Sequence, residues 1–170
     1  DTTVQANFMG VGANNASVVA NGGDGLLISG SSRNTQVGGV IPLGNVISGN
    51  TSDGIRIARS PDSNGAPNYI QVFGNKIGTD KTGTIVIPNG GSGVSIYEGG
   101  NQIDIGGTAP GEANLIRGNS LYGVRVKGGS LEVTHENTIR GNSIYANGTS
   151  GIHLEDGAND GLAAPTITLL

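Results

Sequence analysis

Charged and aromatic side chains recur at matching positions in four short segments of this sequence. Each segment begins with glycine and then alternates aliphatic with polar residues: Gly54-Ile-Arg-Ile57, Gly93-Val-Ser-Ile-Tyr97, Gly123-Val-Arg-Val-Lys127 and Gly151-Ile-His-Leu-Glu155. The candidate ligand-binding residues are Arg56, Tyr97, Arg125, Lys127, His153 and Glu155. Such cations could bind an anionic sugar, and a histidine beside a carboxylate could move a proton. The same residues also suit a solvated sheet face that resists aggregation, which is the interpretation we favour.

A second group of polar residues follows the last of these segments. Glu155-Asp156-Gly-Ala-Asn159-Asp160-Gly161 supplies the carboxylate and amide oxygens that calcium prefers. Asp156 and Asp160 are the candidate metal ligands. The spacing does not match that of helix–loop–helix calcium sites, so we favour a plain polar loop and expect no cofactor.

An internal repeat indicates which elements position these residues. Asn7 to Ile57 matches Asn75 to Val126 at an offset of 68 residues (Asn7 to Asn75), which becomes 69 (Asn45 to Asn114) after a one-residue insertion. Within the repeat, three types of short strand follow one another in fixed order. The first type begins with glycine, the second includes Thr35–Val37 and Gln102–Ile105, and the third begins with asparagine.

Stacking these strand types in coils explains their composition. Alternate residues of a strand point to opposite faces, so each first-type strand presents aliphatic residues inward and polar residues outward. Asparagine tolerates the left-handed backbone of a sharp corner and can hydrogen-bond in a ladder along the stack. The predicted structural ladder consists of Asn7, Asn45, Asn75, Asn114 and Asn142.

The sequence therefore predicts an all-β fold, a right-handed parallel β-helix (a solenoid) of about five coils with three strands per coil. One such domain would cover residues 1–170. A helical fold needs apolar residues three and four apart, and no long window has that spacing. A β-sandwich would not predict one order of three strand types along the whole chain.

Composition excludes several functional classes. The formal net charge is −4 and basic residues are not clustered, so we expect no nucleic-acid partner. No apolar run approaches the ~20 residues of a membrane-spanning helix. Cysteine is absent, which excludes disulfides and thiolate metal sites.

The motif Asn-x-Ile-x-Gly-Asn followed by Gly-Ile-x-Ile resembles the β-helix repeats of the pectin-lyase-like superfamily. It is clearest at Asn45 to Ile57, Asn114 to Val126 and Asn137 to Leu154. Asn75–Gly83, Ile105–Gly111 and Asn114–Asn119 resemble repeat-containing bacterial secreted and surface proteins more closely. The resemblance implies an extracellular or cell-surface location and a polysaccharide partner. Arg125-Val-Lys127 has the spacing of one segment of the superfamily's hydrolases, but their Asp cluster and Gly-His-Gly segment are missing.

Two functions remain open from the sequence. The first is a non-catalytic extracellular structural or surface module that stacks head to tail into a filament of identical chains. Thr2–Gln5 and Thr166–Leu169 both fit the second strand slot, and open coil edges can template pairing with another chain. We also expect, as another explanation of these ends, that the chain is a fragment or protomer of a longer array. The alternative function is a carbohydrate-active enzyme, a lyase or hydrolase of acidic polysaccharide, or its carbohydrate-binding module.

Overall fold

The computed structural model describes residues 1–14, 17–62, 65–129, 134–163 and 165. The described strands form three parallel sheets of five strands each. In chain order they are β1 (Thr2–Val4), β2 (Phe8–Met9), β3 (Leu26–Ser29), β4 (Arg33–Gly38), β5 (Val46–Ile47), β6 (Ile55–Ala58), β7 (Asn68–Phe73), β8 (Lys76–Ile77), β9 (Val94–Tyr97), β10 (Asn101–Ile105), β11 (Leu115–Arg117), β12 (Val124–Lys127), β13 (Thr138–Ile139), β14 (Ser143–Tyr145) and β15 (Ile152–Glu155).

The chain visits the three sheets in the same order on every turn. Sheet 1 stacks β3, β6, β9, β12 and β15; sheet 2 stacks β1, β4, β7, β10 and β13; sheet 3 stacks β2, β5, β8, β11 and β14. Each consecutive set of three strands is one coil, numbered 1 to 5 along the chain. This arrangement confirms the predicted all-β parallel β-helix with five coils and three strands per coil.

A short segment, α1 (Ala158–Gly161), follows β15 and is the one helical element of the described residues. Asn159 and Asp160 within it have left-handed backbone angles, with φ of 52° and 61°. No helix in the described ranges is long and apolar enough to cross a membrane. The sequence segment Thr166–Leu169, expected in the second strand slot, lies outside the described residues.

Aliphatic side chains fill the interior of the coils. The inward residues of the middle coils, such as Ile55, Ile77, Ile96 and Ile105, are completely buried. β-Branched residues pack well on the pleated surface of a strand, and burying each isoleucine contributes about 1.5–3 kcal/mol. Most inward residues of the end coils are only partly buried, although Ile28 in coil 1 is buried. The partly buried ones are Met9 and Leu26 in coil 1, and Ile139, Ile144, Ile152 and Leu154 in coil 5.

Pairing between coils sets the register of the outward residues on sheet 1. One column runs through Leu27, Arg56, Ser95, Arg125 and His153. The neighbouring column runs through Ser29, Ala58, Tyr97, Lys127 and Glu155. These are the columns that the aligned first-type strands predict.

Two longer connections follow sheet 3, in coils 1 and 3. An antiparallel bridge joins Val11 to Val18 in the first, and another joins Thr79 to Val86 in the second. Val11, Val46 and Ile87 form a second, smaller apolar cluster beneath them. The hairpins therefore cover part of the outer face of sheet 3.

Candidate functional site

Arg125 lies at the centre of the polar cluster on sheet 1. Its Nε donates a hydrogen bond of 2.7 Å to Oε1 of Glu155, to which its Nη2 also donates. Its Nη1 donates to the hydroxyl oxygen of Tyr97 at 2.7 Å. The guanidinium thus bridges coils 3 and 5, and charge-assisted bonds of this kind are among the stronger ones in proteins.

Aromatic rings pack against the charged groups of the same cluster. The guanidinium carbon of Arg56, from the preceding coil, lies 4.8 Å from the ring centre of Tyr97, and that of Arg125 lies 5.2 Å from it. The ring of Tyr122 stacks on the imidazole of His153 at 4.3 Å with an interplanar angle of 4°. The sequence prediction missed Tyr122, whose only signal is its position just before the glycine of a first-type strand.

The charged groups of this cluster pair with one another. Burial lowers the pKa of Arg125, but the Glu155 carboxylate and the neighbouring Tyr97 outweigh burial and hold that pKa above its ordinary value. His153 Nε2 also lies 3.4 Å from Glu155 Oε2. One carboxylate therefore faces both an arginine and a histidine, and Arg125 is already satisfied within the protein.

The candidate metal ligands have other neighbours. Asp156 Oδ2 lies 3.4 Å from Nζ of Lys127. The backbone N–H of Asp160 donates to the carbonyl oxygen of Thr134 at 3.3 Å. No group of three or more histidine, aspartate or glutamate side chains that could hold a metal ion forms among the described residues.

The asparagines predicted to stack are linked by hydrogen bonds through all five coils. Nδ2 of each residue donates to Oδ1 of the next, at 3.1, 2.9, 3.0 and 2.9 Å from Asn7 through Asn142. The backbone N–H of Asn45 also donates to Oδ1 of Asn75, and Nδ2 of Asn45 donates to the carbonyl oxygen of Val4. We call this series ladder A.

A second asparagine ladder, ladder B, was missed in the sequence. Its Nδ2-to-Oδ1 distances are 2.9, 2.9, 2.8 and 3.0 Å, and its members are Asn21, Asn50, Asn89, Asn119 and Asn147. Ladder A precedes the strands of sheet 3 and ladder B follows them, so sheet 3 lies between two ladders.

Ladder B is hidden in the sequence because its spacing is irregular. It follows ladder A by five residues in coils 2, 4 and 5 (Asn45 to Asn50), but by fourteen in coils 1 and 3 (Asn75 to Asn89). The hairpins of coils 1 and 3 account for the difference. The available signal was the Ile-x-Gly-Asn motif ending at Asn50 and Asn119.

A third corner, beside sheet 1, carries a buried carboxylate that sequence reasoning also missed. The backbone N–H of Ser92 donates to Oδ1 of Asp53 at 2.7 Å, and the backbone N–H of Asp53 donates to Oδ1 of Asp24 at 3.0 Å. Burial raises the pKa of Asp53, and the charge of Asp24 adds to the rise, whereas the Ser92 N–H and Arg56 oppose it. Aspartate here performs the corner role that asparagine performs at sheet 3.

Searches against protein-family models, curated proteins and solved structures found no match to this chain.

Proposed function

We propose that this chain is a non-catalytic structural module of the extracellular or cell-surface environment that joins head to tail with further copies into a filament. The extracellular setting comes from the resemblance to secreted β-helix repeats. The head-to-tail joining is supported by one observation, the polarity of the two asparagine ladders.

In both ladders, each coil donates to the amide oxygen of the coil that follows. The first coil therefore leaves acceptors, Oδ1 of Asn7 and Asn21, for which no described residue is a donor. The last coil leaves donors, the backbone N–H groups of Asn142 and Asn147, for which no acceptor lies among the described residues. Donors at one end and acceptors at the other are complementary only when copies stack head to tail.

The apolar interior favours the same contact. Met9 and Leu26 at one end, and Ile144 and Ile152 at the other, are partly exposed where their counterparts in the middle coils are buried. Stacking coil 5 of one copy against coil 1 of the next would bury both sets. Because this contact is heterologous, it would repeat as an open fibre.

Light scattering and sedimentation velocity over a range of concentrations test the proposal. We expect elongated oligomers whose mass rises with concentration. Asn21→Lys should hold the protein as a monomer because it places a cation where an acceptor is needed. Thr3→Lys is the matched control, since it adds the same charge to the exposed side of coil 1 and should still assemble. A wild-type protein that stays a sharp monomer at all concentrations would overturn the proposal.

Engineered cysteines test the orientation, because the native chain has none. Phe8 and Ser143 belong to one outward column of sheet 3, running through Val46, Lys76 and Leu115. A head-to-tail junction would bring them about 5 Å apart, within disulfide reach. A mixture of Phe8→Cys and Ser143→Cys proteins should form a crossed disulfide dimer. Bonding within either protein alone, without the crossed product, would contradict head-to-tail stacking.

The alternative, a carbohydrate-active enzyme or carbohydrate-binding module, ranks second. Its candidate residues Arg125 and Glu155 bind each other, and an anionic sugar would have to displace that pair. Binding of acidic polysaccharide that is lost in Arg125→Ala would reverse this ranking.

A further inference from the structure

Ladder B places a chemically reactive dipeptide, asparagine followed by glycine, in three different coils. The pairs are Asn21-Gly22 in coil 1, Asn89-Gly90 in coil 3 and Asn147-Gly148 in coil 5. In such a pair the backbone nitrogen of glycine can attack the side-chain amide carbon of asparagine, because glycine has no side chain to hinder the approach. A fourth pair, Asn64-Gly65, has its asparagine outside the described residues.

Stacking occupies the attacking nitrogen in coils 3 and 5. The backbone N–H of Gly90 donates to the carbonyl oxygen of Asn50 at 2.8 Å, and that of Gly148 donates to the carbonyl oxygen of Asn119 at 2.8 Å. Each of these bonds is made to the preceding coil. The two nitrogens must therefore leave a hydrogen bond before they can react.

Coil 1 has no preceding coil within the chain, so the attacking nitrogen there is free. The backbone N–H of Gly22 has no acceptor among the residues that the structure describes. Gly22 is also exposed, and apart from its chain neighbours no atom lies within 4 Å of the position that a Cβ would take there. The backbone at this position therefore has room to move.

The side-chain amide of Asn21 is also less restrained than that of Asn147 at the other end. Nδ2 of Asn21 donates one hydrogen bond, to Oδ1 of Asn50 at 2.9 Å, and its Oδ1 has no donor within the described ranges. Nδ2 of Asn147 donates to two carbonyl oxygens, and its Oδ1 accepts from the backbone and side-chain nitrogens of Asn119. Both reacting groups are thus held in coil 5, whereas coil 1 holds only the amide, by a single bond.

We infer that Asn21 is a spontaneous deamidation site of the folded protein, and that Asn89 and Asn147 are protected. The nitrogen of Gly22 forms a bond to Cγ of Asn21, its proton passes to Nδ2, the bond from Cγ to Nδ2 breaks, and Nδ2 leaves as ammonia. Water then opens the resulting cyclic imide to an aspartyl or isoaspartyl residue. The product has no Nδ2 to donate to Asn50 and carries a carboxylate instead, so the reaction weakens ladder B at coil 1.

The proposed head-to-tail junction would close this site, and this step alone rests on the proposed function. If the hydrogen bond of Gly148 is repeated across the junction, the N–H of Gly22 would donate to the carbonyl oxygen of Asn147 in the preceding copy. Covered ends would then keep their asparagine, whereas free ends would be converted.

Incubation of dilute protein at mildly alkaline pH, followed by peptide mapping with mass spectrometry, tests the inference site by site. We expect Asn21 to deamidate about five-fold faster than Asn147, the factor that corresponds to opening one backbone hydrogen bond of about 1 kcal/mol. Asn89 should be the slowest, because coil 3 must open before it can react. In guanidinium chloride, where the chain is unfolded, the three sites should react at similar rates.

Gly22→Ala is the matched variant, because alanine fits the open space at this position and its methyl group hinders the attack. Deamidation of Asn21 should slow several-fold in this variant, and that of Asn147 should not change. Equal rates at Asn21 and Asn147 in the folded protein, or a rate at Asn21 that Gly22→Ala leaves unchanged, would overturn the inference.

The same mapping at high protein concentration separates the site from the proposed junction. Asn21 should be protected where the protein assembles. An unchanged rate there, with the reaction in dilute protein still observed, would contradict the junction and support the site.

Discussion

At the scale of single residues, asparagine suits the corners of this fold because both the nitrogen and the oxygen of its side-chain amide form hydrogen bonds. Asn89 is completely buried, and its Nδ2 donates to the carbonyl oxygen of Ile47 and to Oδ1 of Asn119. Its Oδ1 accepts from the backbone and side-chain nitrogens of Asn50. Both polar atoms of the Asn89 side-chain amide therefore have partners, which avoids a penalty of about 1–3 kcal/mol for each buried group left unsatisfied.

Glycine is required beside these amides. Gly78 has a φ of +88°, and a Cβ there would lie 2.1 Å from the carbonyl oxygen of Arg117 and 2.7 Å from Oδ1 of Asn119. Both the backbone angle and the space exclude larger residues. The Asn–Gly punctuation of the sequence is thus a steric requirement of ladder B as well as a turn signal.

The buried carboxyl of Asp53 makes stability depend on pH. Because its pKa in the folded protein is raised above the ordinary value of 3.8, folding favours its neutral form. Its contribution to stability is complete below pH 3.8 and is lost as the pH rises through the folded-state pKa. Asp53→Asn keeps an oxygen for the Ser92 N–H and removes the charge. The variant should therefore gain stability relative to wild type as the pH rises above 3.8.

Urea denaturation at several pH values measures this difference. The exposed Asp62→Asn is the matched control and should differ from wild type by a constant amount across the range. The free energy of unfolding of Asp53→Asn should increase relative to wild type as the pH rises. A difference that stays constant or decreases would contradict the role assigned to burial.

At the scale of elements, the outer face of sheet 1 is joined across coils by side chains. Arg56, Tyr97, Arg125 and Glu155 come from coils 2, 3, 4 and 5 in succession, and each contacts the next. Parallel strands are already paired through their backbones, so these contacts add a second connection along the rod axis. We infer that the contacts among these four side chains stabilise the stacking of the coils.

A double-mutant cycle of Arg125→Ala and Glu155→Ala measures this support. The side chains are 22% and 25% exposed, so we expect a coupling free energy of about 1 kcal/mol in chemical denaturation, decreasing at high salt. The Lys127–Asp156 pair is the control: its side chains are 36% and 63% exposed, and its coupling should be close to zero. Equal coupling in the two pairs would show that burial and geometry do not matter here.

The strand order and the sheet 1 columns were predictable because period-two alternation and corner asparagines are local patterns. Ladder B was not predictable, because the hairpins of coils 1 and 3 separate Asn21 and Asn89 from the sheet 3 strands that they follow. The aligned columns place several side chains of the adjacent coils near Arg125. They do not specify that Tyr97 and Glu155 are the ones that bind it.

At the scale of the whole molecule, the strands of each coil pair only with those of the neighbouring coils. Stability in such an array is the sum of coil terms and interface terms, so a coil with two neighbours is held more firmly than one at an end. The structure agrees with this difference: most inward residues of coils 1 and 5 are only partly buried, whereas those of coil 3 are fully buried.

Hydrogen exchange should reveal both the gradient and the proposed junction. In dilute protein, we expect the slowest amide exchange in β7–β9 and faster exchange in the strands of coils 1 and 5. At high concentration, the amides of Asn142 and Asn147 should gain protection because they would donate to Asn7 and Asn21 of the next copy, whereas coil 3 should not change. The gain should be absent in Asn21→Lys. Equal exchange rates in all five coils would contradict only the predicted stability gradient. Exchange rates of Asn142 and Asn147 that do not change with protein concentration would contradict only the head-to-tail junction.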